Sequence, residues 1–156
     1  MLFSSKPGDF DTPKLLPMKH YPFKGYRFIM WCGRMIYRAE NKENIDRYMQ
    51  TYAGKESLTH ETIHLRQAQV TGSWVKYYWR YFVEWIKGNP ICYPASSAYY
   101  TIKYEMEAYA NENNPNYPAN YTGNNLSRYK IKGGRKKLYK SVGGTSKAWK
   151  TYIRTL

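Results

Sequence analysis

The stretch LTHETIHLRQAQ, residues 58–69, contains two of the three histidines in the chain, His60 and His64, four residues apart. Glu61 lies between them and completes the pattern H-E-x-x-H. On a helix, side chains at positions i and i+4 lie on one face, so both imidazoles can reach the same ion. Zinc accepts imidazole nitrogens, and a glutamate beside the first histidine is placed as a general base. The pattern therefore predicts a metal site on a helix.

Chance is a weak explanation for this pattern. With so few histidines in the chain, H-E-x-x-H is expected on the order of a few times in a thousand such sequences. A stronger alternative is a helix whose histidines are structural and bind no metal. Since a catalytic zinc site needs three protein ligands, a third ligand must decide between the two.

The candidates for the third ligand follow later in the chain: Glu84, Glu105, Glu107, Glu112 and Cys92. We expect Glu84 on the solvated face of its helix, and a lone cysteine is most often simply buried. Glu105 and Glu107 are two residues apart, about 200° around a helix, so one face cannot present both. The periodicity favours Glu105 only slightly and leaves the choice open.

The composition describes a domain large enough to bury a core without disulfides. Aromatic residues, 18 Tyr and 5 Trp, supply the bulk that scarce aliphatic residues do not. Four of the five tryptophans lie between Trp31 and Trp85, where we place the core, together with the helix that follows. No secretory signal and no membrane span is visible, which predicts a cytoplasmic protein, or one of the virion or host cytoplasm if a phage encodes it.

The predicted elements are mostly helical. Residues 1–24 read as an irregular N-terminal arm, and residues 26–38 as a β-hairpin that turns at Cys32 and Gly33. Helices are expected over about 59–70, from Ser73 as N-cap to Gly88, and over about 97–112. An apolar face of the second helix should pack on its neighbours: Trp74, Val75, Tyr78, Tyr81, Phe82, Trp85 and Ile86. The predicted fold class is mainly α with a small β-hairpin (α+β).

The basic residues are concentrated at the end of the chain. The net charge is +14, residues 113–156 contain no acid, and residues 128–154 carry ten basic residues. We therefore divide the chain into a core with its arm, 1–112, and an Asn-rich linker with a basic tail, 113–156. A polyanion or nucleic acid is a candidate partner through residues 126–156, because aromatic residues interleave with the cations there: Tyr129, Tyr139, Trp149 and Tyr152. A solvated charge run is the plain alternative.

The order of LTHETIHLRQ, an aromatic helix and AYYTIKYEMEAYANE resembles a group of small, uncharacterised bacterial proteins common among Bacteroidetes. Their motifs are H-E-x-I-H-x-x-Q and F/Y-E-x-E-A-Y-x-N-E. The order is also similar to the minimal core of gluzincin-type metallopeptidases, whose second motif is E-x-x-A-D. The resemblance covers roughly residues 26–112. It implies a zincin-like helical core with Zn²⁺ held by His60, His64 and Glu105 and with Glu61 as the catalytic glutamate.

The chain departs from the peptidase motif at Tyr109, where those peptidases have an aspartate that supports a histidine ligand. Glu107, Glu112, Gln67 or a backbone carbonyl would have to take that role. Gln67, one turn beyond His64, is more suited to bracing the site than to reacting. Tyr109 is a candidate donor to the oxyanion.

The predicted function is a zinc metallopeptidase that hydrolyses a peptide or protein substrate through a water molecule, with Glu61 as general base. The alternative is a basic structural or nucleic-acid-binding protein, of a phage or mobile element, that retains a zincin-like scaffold. Deleting the tail is expected to separate the two hypotheses. A peptidase would keep its activity on small substrates, whereas polyanion binding would disappear.

Overall fold

The computed structural model describes residues 5–89 and 95–156, so Cys92 lies outside the described residues. The helices are α1 (Lys42–Met49), α2 (Tyr52–Thr71), α3 (Trp74–Lys87), α4 (Ala95–Tyr100), α5 (Lys103–Asn111), α6 (Arg135–Ser141) and α7 (Ser146–Ile153). The strands are β1 (Lys14–Met18), β2 (Ile29–Trp31) and β3 (Arg34–Arg38). The mainly α fold with a small β element is confirmed. None of the described helices combines the length and apolar character that a membrane span needs.

The predicted hairpin is present as β2 and β3, which pair in antiparallel orientation. Its turn residues Cys32 and Gly33 have φ of 46° and 77°, as a two-residue type I′ turn requires. A side chain at Gly33 would also collide with the Phe10 ring, which lies 2.8 Å from the place of a Cβ. The backbone N–H of Cys32 donates to the Tyr78 hydroxyl over 2.8 Å, which ties the hairpin to α3.

The arm contains a strand that the sequence did not predict. Residues 14–18 form β1, which pairs in parallel with β3, so the prediction of an irregular arm is wrong for this segment. Pro17 lies inside β1, and a proline normally argues against a strand. It is tolerated here because β1 is at the edge of the described sheet, where one side of the strand needs no donor.

The helix that carries H-E-x-x-H is longer than predicted. It begins after Thr51, whose Oγ1 accepts a hydrogen bond from the Gly54 N–H over 3.1 Å, and ends at Gly72, with φ 79°. The predicted end is confirmed, but the start near Thr59 is wrong. The first turns of α2 are polar, and they are stabilised by α1, which packs closely enough that Gly54 has no room for a side chain.

The bounds of α3 are confirmed, with Ser73 as N-cap and Gly88 after the last residue. The predicted packing face is wrong in part. Val75, Phe82 and Ile86 are exposed, and the fully buried positions of α3 belong to a narrower face. A wide apolar face shows that a helix is amphipathic, but it does not show how much of that face the neighbouring elements cover.

Glu84 belongs to the buried face of α3, so its assignment to a solvated face is wrong. Its Oε2 lies 2.6 Å from Nη2 of Arg135 in α6, and its Oε1 lies 2.9 Å from Nζ of Lys87. Burial opposes ionisation, but the hydrogen bonds from Lys87 and Arg135 outweigh it and lower the pKa of Glu84. Because Arg135 is far away in the sequence, the periodicity of α3 could not reveal this partner.

The single helix predicted over 97–112 is interrupted at Thr101 and Ile102. Ile102 has extended backbone, with ψ 127°, and its side chain is fully buried beside Leu65 of α2. Both residues at the break are β-branched and have low helix preference. The break separates α4 from α5 and lets α5 pack against α2.

The basic tail folds onto α5. Tyr129, Tyr139 and Trp149 are buried in a second core around Met106, and the Trp149 indole N–H donates to the carbonyl oxygen of Tyr100 over 2.7 Å. These three rings therefore have no free face for nucleic-acid bases. Deleting residues 113–156 would open this core, so the deletion cannot separate the two functional hypotheses.

Candidate metal centre

Three predicted ligands meet between α2 and α5. Nε2 of His60 and Nε2 of His64 are 3.1 Å apart, and the Glu105 carboxylate approaches them at 3.3 Å and 3.2 Å. Each side chain is buried, and one ligand atom from each lies within 4.8 Å of the others. The i, i+4 spacing on α2 brings the imidazoles together, and the packing of α5 against α2 adds the carboxylate.

Gln67 determines which nitrogen of His64 carries the proton. The amide nitrogen of Gln67 donates to Glu107 over 2.9 Å and to the carbonyl oxygen of Tyr104 over 3.0 Å. Its oxygen must therefore face His64, whose Nδ1 lies 2.8 Å away and donates to it. Nδ1 of His64 carries the hydrogen, and Nε2 presents a lone pair.

Glu112 determines which nitrogen of His60 carries the proton. Its Oε2 lies 3.1 Å from Nδ1 of His60, and its Oε1 lies 3.1 Å from Nζ of Lys150 and 3.4 Å from Nη2 of Arg154. Burial opposes the charge of Glu112, but the contacts with His60 and Lys150 outweigh it and lower its pKa. The carboxylate therefore accepts the Nδ1 hydrogen and leaves Nε2 of His60 available as a ligand.

Two lone pairs and a carboxylate consequently converge on one buried point. Oε2 of Glu105 has no hydrogen-bond partner within residues 5–89 and 95–156, although it is buried. Acceptors this close repel one another unless a positive charge lies between them. Burial opposes charge on His60, His64 and Glu105, but their mutual contacts raise the pKa of both histidines and lower that of Glu105. Protons or a metal ion would supply the charge, and the nitrogen and oxygen donors suit a divalent cation.

Glu107 occupies the other side of α5. Its carboxylate accepts hydrogen bonds from the Gln67 amide over 2.9 Å, from Tyr117 over 3.0 Å and from Tyr121 over 2.8 Å. It is fully buried and lies outside the cluster of histidines. Glu107 therefore positions Gln67 and, through it, His64. The structure thus places Glu105 at the histidines and Glu107 behind Gln67.

Glu61 lines the cleft beside His64 and Glu105. Its Oε2 is buried and has no hydrogen-bond partner in the described part of the chain. Burial raises the pKa of Glu61, and the two histidines only partly oppose this. A carboxylate with a raised pKa is a stronger base than an ordinary glutamate, which favours proton transfer.

The cleft has a volume of about 460 Å³ and is mainly aromatic. Its lining includes Met30 and Trp31 of β2 and Trp74 and Tyr78 of α3. The Trp31 and Tyr78 rings stack with centroids 4.7 Å apart. The cleft therefore joins an apolar binding surface to the buried polar cluster at its base.

Sequence reasoning assigned no role at the site to three tyrosines that line this cleft, Tyr77, Tyr81 and Tyr99. Tyr77 donates to Gln67, and Tyr81 donates to Oε1 of Glu105 over 2.6 Å. Burial raises the pKa of Tyr81 and Tyr99, and Glu105 adds to this, so both remain proton donors. Spacing alone could have grouped Tyr77 and Tyr81 on one face of α3, but it could not show that Tyr77 contacts Gln67 and Tyr81 contacts Glu105.

Tyr109, the predicted oxyanion donor, lies elsewhere. Its ring packs against His60, with centroids 4.4 Å apart, and Lys150 Nζ lies 4.1 Å from its centroid. Tyr109 is not among the residues that line the cleft. Tyr109 therefore packs on His60 and does not face the cleft.

No family model, curated protein or solved structure matches this chain. The functional interpretation therefore depends on the geometry of the cluster and on the chemistry of its donors. The resemblance of the motifs to gluzincin-type peptidases remains a hypothesis about this site.

Glu112→Gln is expected to weaken zinc binding by about 10- to 100-fold, because the neutral amide holds the His60 hydrogen less strongly. A competition titration against a zinc-chelating dye measures this. Glu43→Gln, at an exposed acid of α1, is the matched control and should bind zinc as the wild type does. Equal affinity in the Glu112 variant and the wild type would contradict this role.

Proposed function

We propose that this protein is a zinc-dependent peptidase, with His60, His64 and Glu105 as metal ligands and Glu61 as general base. The observation that carries the proposal is the convergence of two Nε2 lone pairs and a carboxylate on one buried point, with both Nδ1 atoms held from behind. Three protein ligands of this kind leave a further coordination position for a reactant.

Zinc bound there would supply Lewis acidity, which polarises a carbonyl group and makes water a stronger acid. Glu61 would accept the proton of the attacking water and return it to the leaving amine. Tyr81 and Tyr99 are protonated phenols of the cleft and are the candidate donors to the oxyanion. Tyr81 already donates to Glu105, so its first role is to hold that carboxylate in place.

The cleft also supports a substrate class. Among the described strands only β3 pairs with β2, so β2 is an edge strand of the described sheet, and its residues line the cleft. An extended peptide can add to such an edge through backbone hydrogen bonds. The aromatic lining would then accept a bulky apolar side chain. We therefore propose peptides with aromatic or large aliphatic residues next to the cleaved bond.

The test is metal content together with activity. Protein purified without chelator should contain about one zinc ion per chain by elemental analysis, because the donor set holds one ion. It should cleave a library of fluorogenic peptides, with preference for bulky apolar side chains. Removing the metal with a chelator should stop cleavage, and adding zinc should restore it. The absence of bound metal after incubation with zinc would refute the proposal and identify the cluster as a protonated hydrogen-bond network.

A further inference from the structure

The outward face of α3 carries an apolar stripe, which we call the α3 stripe. Its residues Val75, Trp79, Phe82 and Ile86 have exposed fractions of 79%, 65%, 44% and 51%. They recur at helical spacing, and the Trp79 and Phe82 rings lie with centroids 6.2 Å apart, so the stripe is continuous. A contiguous exposed apolar surface of this kind marks an interaction site.

The proposed peptidase site does not use this stripe. The cleft is lined from a different face of α3, through Trp74, Tyr77, Tyr78 and Tyr81. At about 100° of rotation per residue, the centre of the stripe lies roughly a third of a turn from the centre of those positions, and Tyr78 lies between the two faces. A partner on the stripe would therefore sit beside the mouth of the cleft without entering it.

Cations border one side of the α3 stripe. Lys76, Arg80 and Lys87 are exposed there, whereas Glu84, the acid of this helix, is buried with Arg135. The same asymmetry extends over most of the described surface. From residue 57 onward no described acid is exposed: four glutamates are buried, at 84, 105, 107 and 112, and the fifth, at 61, lines the cleft.

A groove of about 520 Å³ adjoins the stripe, between α3 and the 3-10 turn Asn124–Tyr129. Its lining includes Trp79, Arg80, Lys87, Lys103 and Leu126. The groove thus combines apolar side chains with three cations, beside the carboxylate of Glu84, which is paired with Arg135. This arrangement suits an amphiphile that has an anionic head and an apolar chain.

We propose that the α3 stripe docks on an anionic lipid surface. Trp79 and Phe82 would enter the boundary between headgroups and acyl chains, and Lys76 and Arg80 would contact the headgroups. A helix that lies in the membrane interface has this pattern, with aromatic and aliphatic residues on one face and lysine or arginine beside them. Anionic lipids attract the basic residues and keep the helix at the surface.

The aliphatic residues distinguish this partner from nucleic acid. Val75 and Ile86 occupy both ends of the stripe, and neither can stack on a base or bind a phosphate, whereas a bilayer accepts them. A second copy of this chain is disfavoured as the occupant, because each copy carries +14 and the cations adjoin the stripe.

Vesicle sedimentation with the full chain tests the proposal. Wild type should bind vesicles of phosphatidylcholine mixed with phosphatidylglycerol and remain free with pure phosphatidylcholine. Trp79→Ser with Phe82→Ser should lower the partition coefficient by more than about tenfold, because two large apolar groups no longer leave water. Lys76→Gln with Arg80→Gln should lower it by about tenfold or more. All four side chains are exposed, so the melting temperature should stay close to that of the wild type.

The matched control replaces two aromatic residues elsewhere on the surface. Phe23→Ser with Tyr52→Ser changes side chains that are 69% and 70% exposed, and it should bind the anionic vesicles as wild type does. Equal binding by the stripe variant and this control would overturn the proposal. So would an absence of vesicle binding combined with stripe-dependent binding of a single-stranded oligonucleotide, or with a dimer in light scattering that the stripe variant dissociates.

Discussion

Glu61→Gln is expected to abolish peptide hydrolysis while zinc remains bound. The amide has nearly the same shape as the carboxylate but cannot accept a proton from water, so the general base is lost. General bases contribute about 10²- to 10⁴-fold to the rate, and kcat should fall by that amount. Steady-state kinetics on a fluorogenic peptide, with elemental analysis of the same sample, measures both properties.

The matched control is Glu56→Gln, which changes an acid on the same helix outside the residues that line the cleft. It should keep both zinc and activity. Since Oε2 of Glu61 makes no hydrogen bond within the described residues, the Gln variant should also fold as the wild type does. A Glu61→Gln protein that contains zinc and retains full activity would contradict the assignment of the general base.

His64→Ala and Glu105→Gln are each expected to remove the metal. Structural zinc in small domains is bound with about 10–16 kcal/mol, so one ligand of several represents about 3 kcal/mol or more. Zinc affinity should fall by at least about a hundredfold, and zinc content after gel filtration should drop from about one ion per chain to near zero. Elemental analysis and a competition titration measure this loss.

Thermal stability provides a second measurement of zinc binding. A ligand that binds only the folded state stabilises it by about 2.7 kcal/mol at a concentration a hundred times its Kd. Zinc should therefore raise the Tm of the wild type and leave the Tm of both ligand variants unchanged. Circular dichroism of the zinc-free proteins shows whether each variant is folded.

Glu107→Gln is the control for the ligand set, because Glu107 contacts Gln67, Tyr117 and Tyr121 rather than the histidines. It should keep more zinc than Glu105→Gln does, because Glu107 acts on His64 only through Gln67. Zinc kept by Glu105→Gln but lost by Glu107→Gln would refute the ligand set and move the third ligand to Glu107.

Several features of this protein follow from local sequence. His60 and His64 share a face because a helix repeats every 3.6 residues, and the end of α2 at Gly72 and the capping of α3 by Ser73 depend on residues within one turn. The hairpin turn at residues 32–33 likewise depends on local backbone preference. Each of these features was predictable because its cause lies within a few residues along the chain.

Other features depend on contacts between distant elements. The periodicity of α5 could not choose between Glu105 and Glu107, and the packing of α5 against α2 turned Glu105 toward the histidines. Glu84 was misplaced because its partner comes from α6. The α3 stripe could not be predicted for the same reason. Amphipathicity shows that a helix has an apolar face, but it does not show which part of that face a neighbouring element covers.

The tail, residues 113–156, shows most clearly the difference between features with local causes and features that depend on distant elements. Its composition indicated a solvated or polyanion-binding segment, but Trp149 is buried against α5, and Lys150 contacts the Glu112 that holds His60. The sequence by itself determined the H-E-x-x-H helix, its order before the glutamates and the excess of positive charge. The tertiary structure decided which glutamate meets the histidines and which side chains hold them. The reason is physical: spacing defines the faces of one element, whereas burial between elements selects which faces meet.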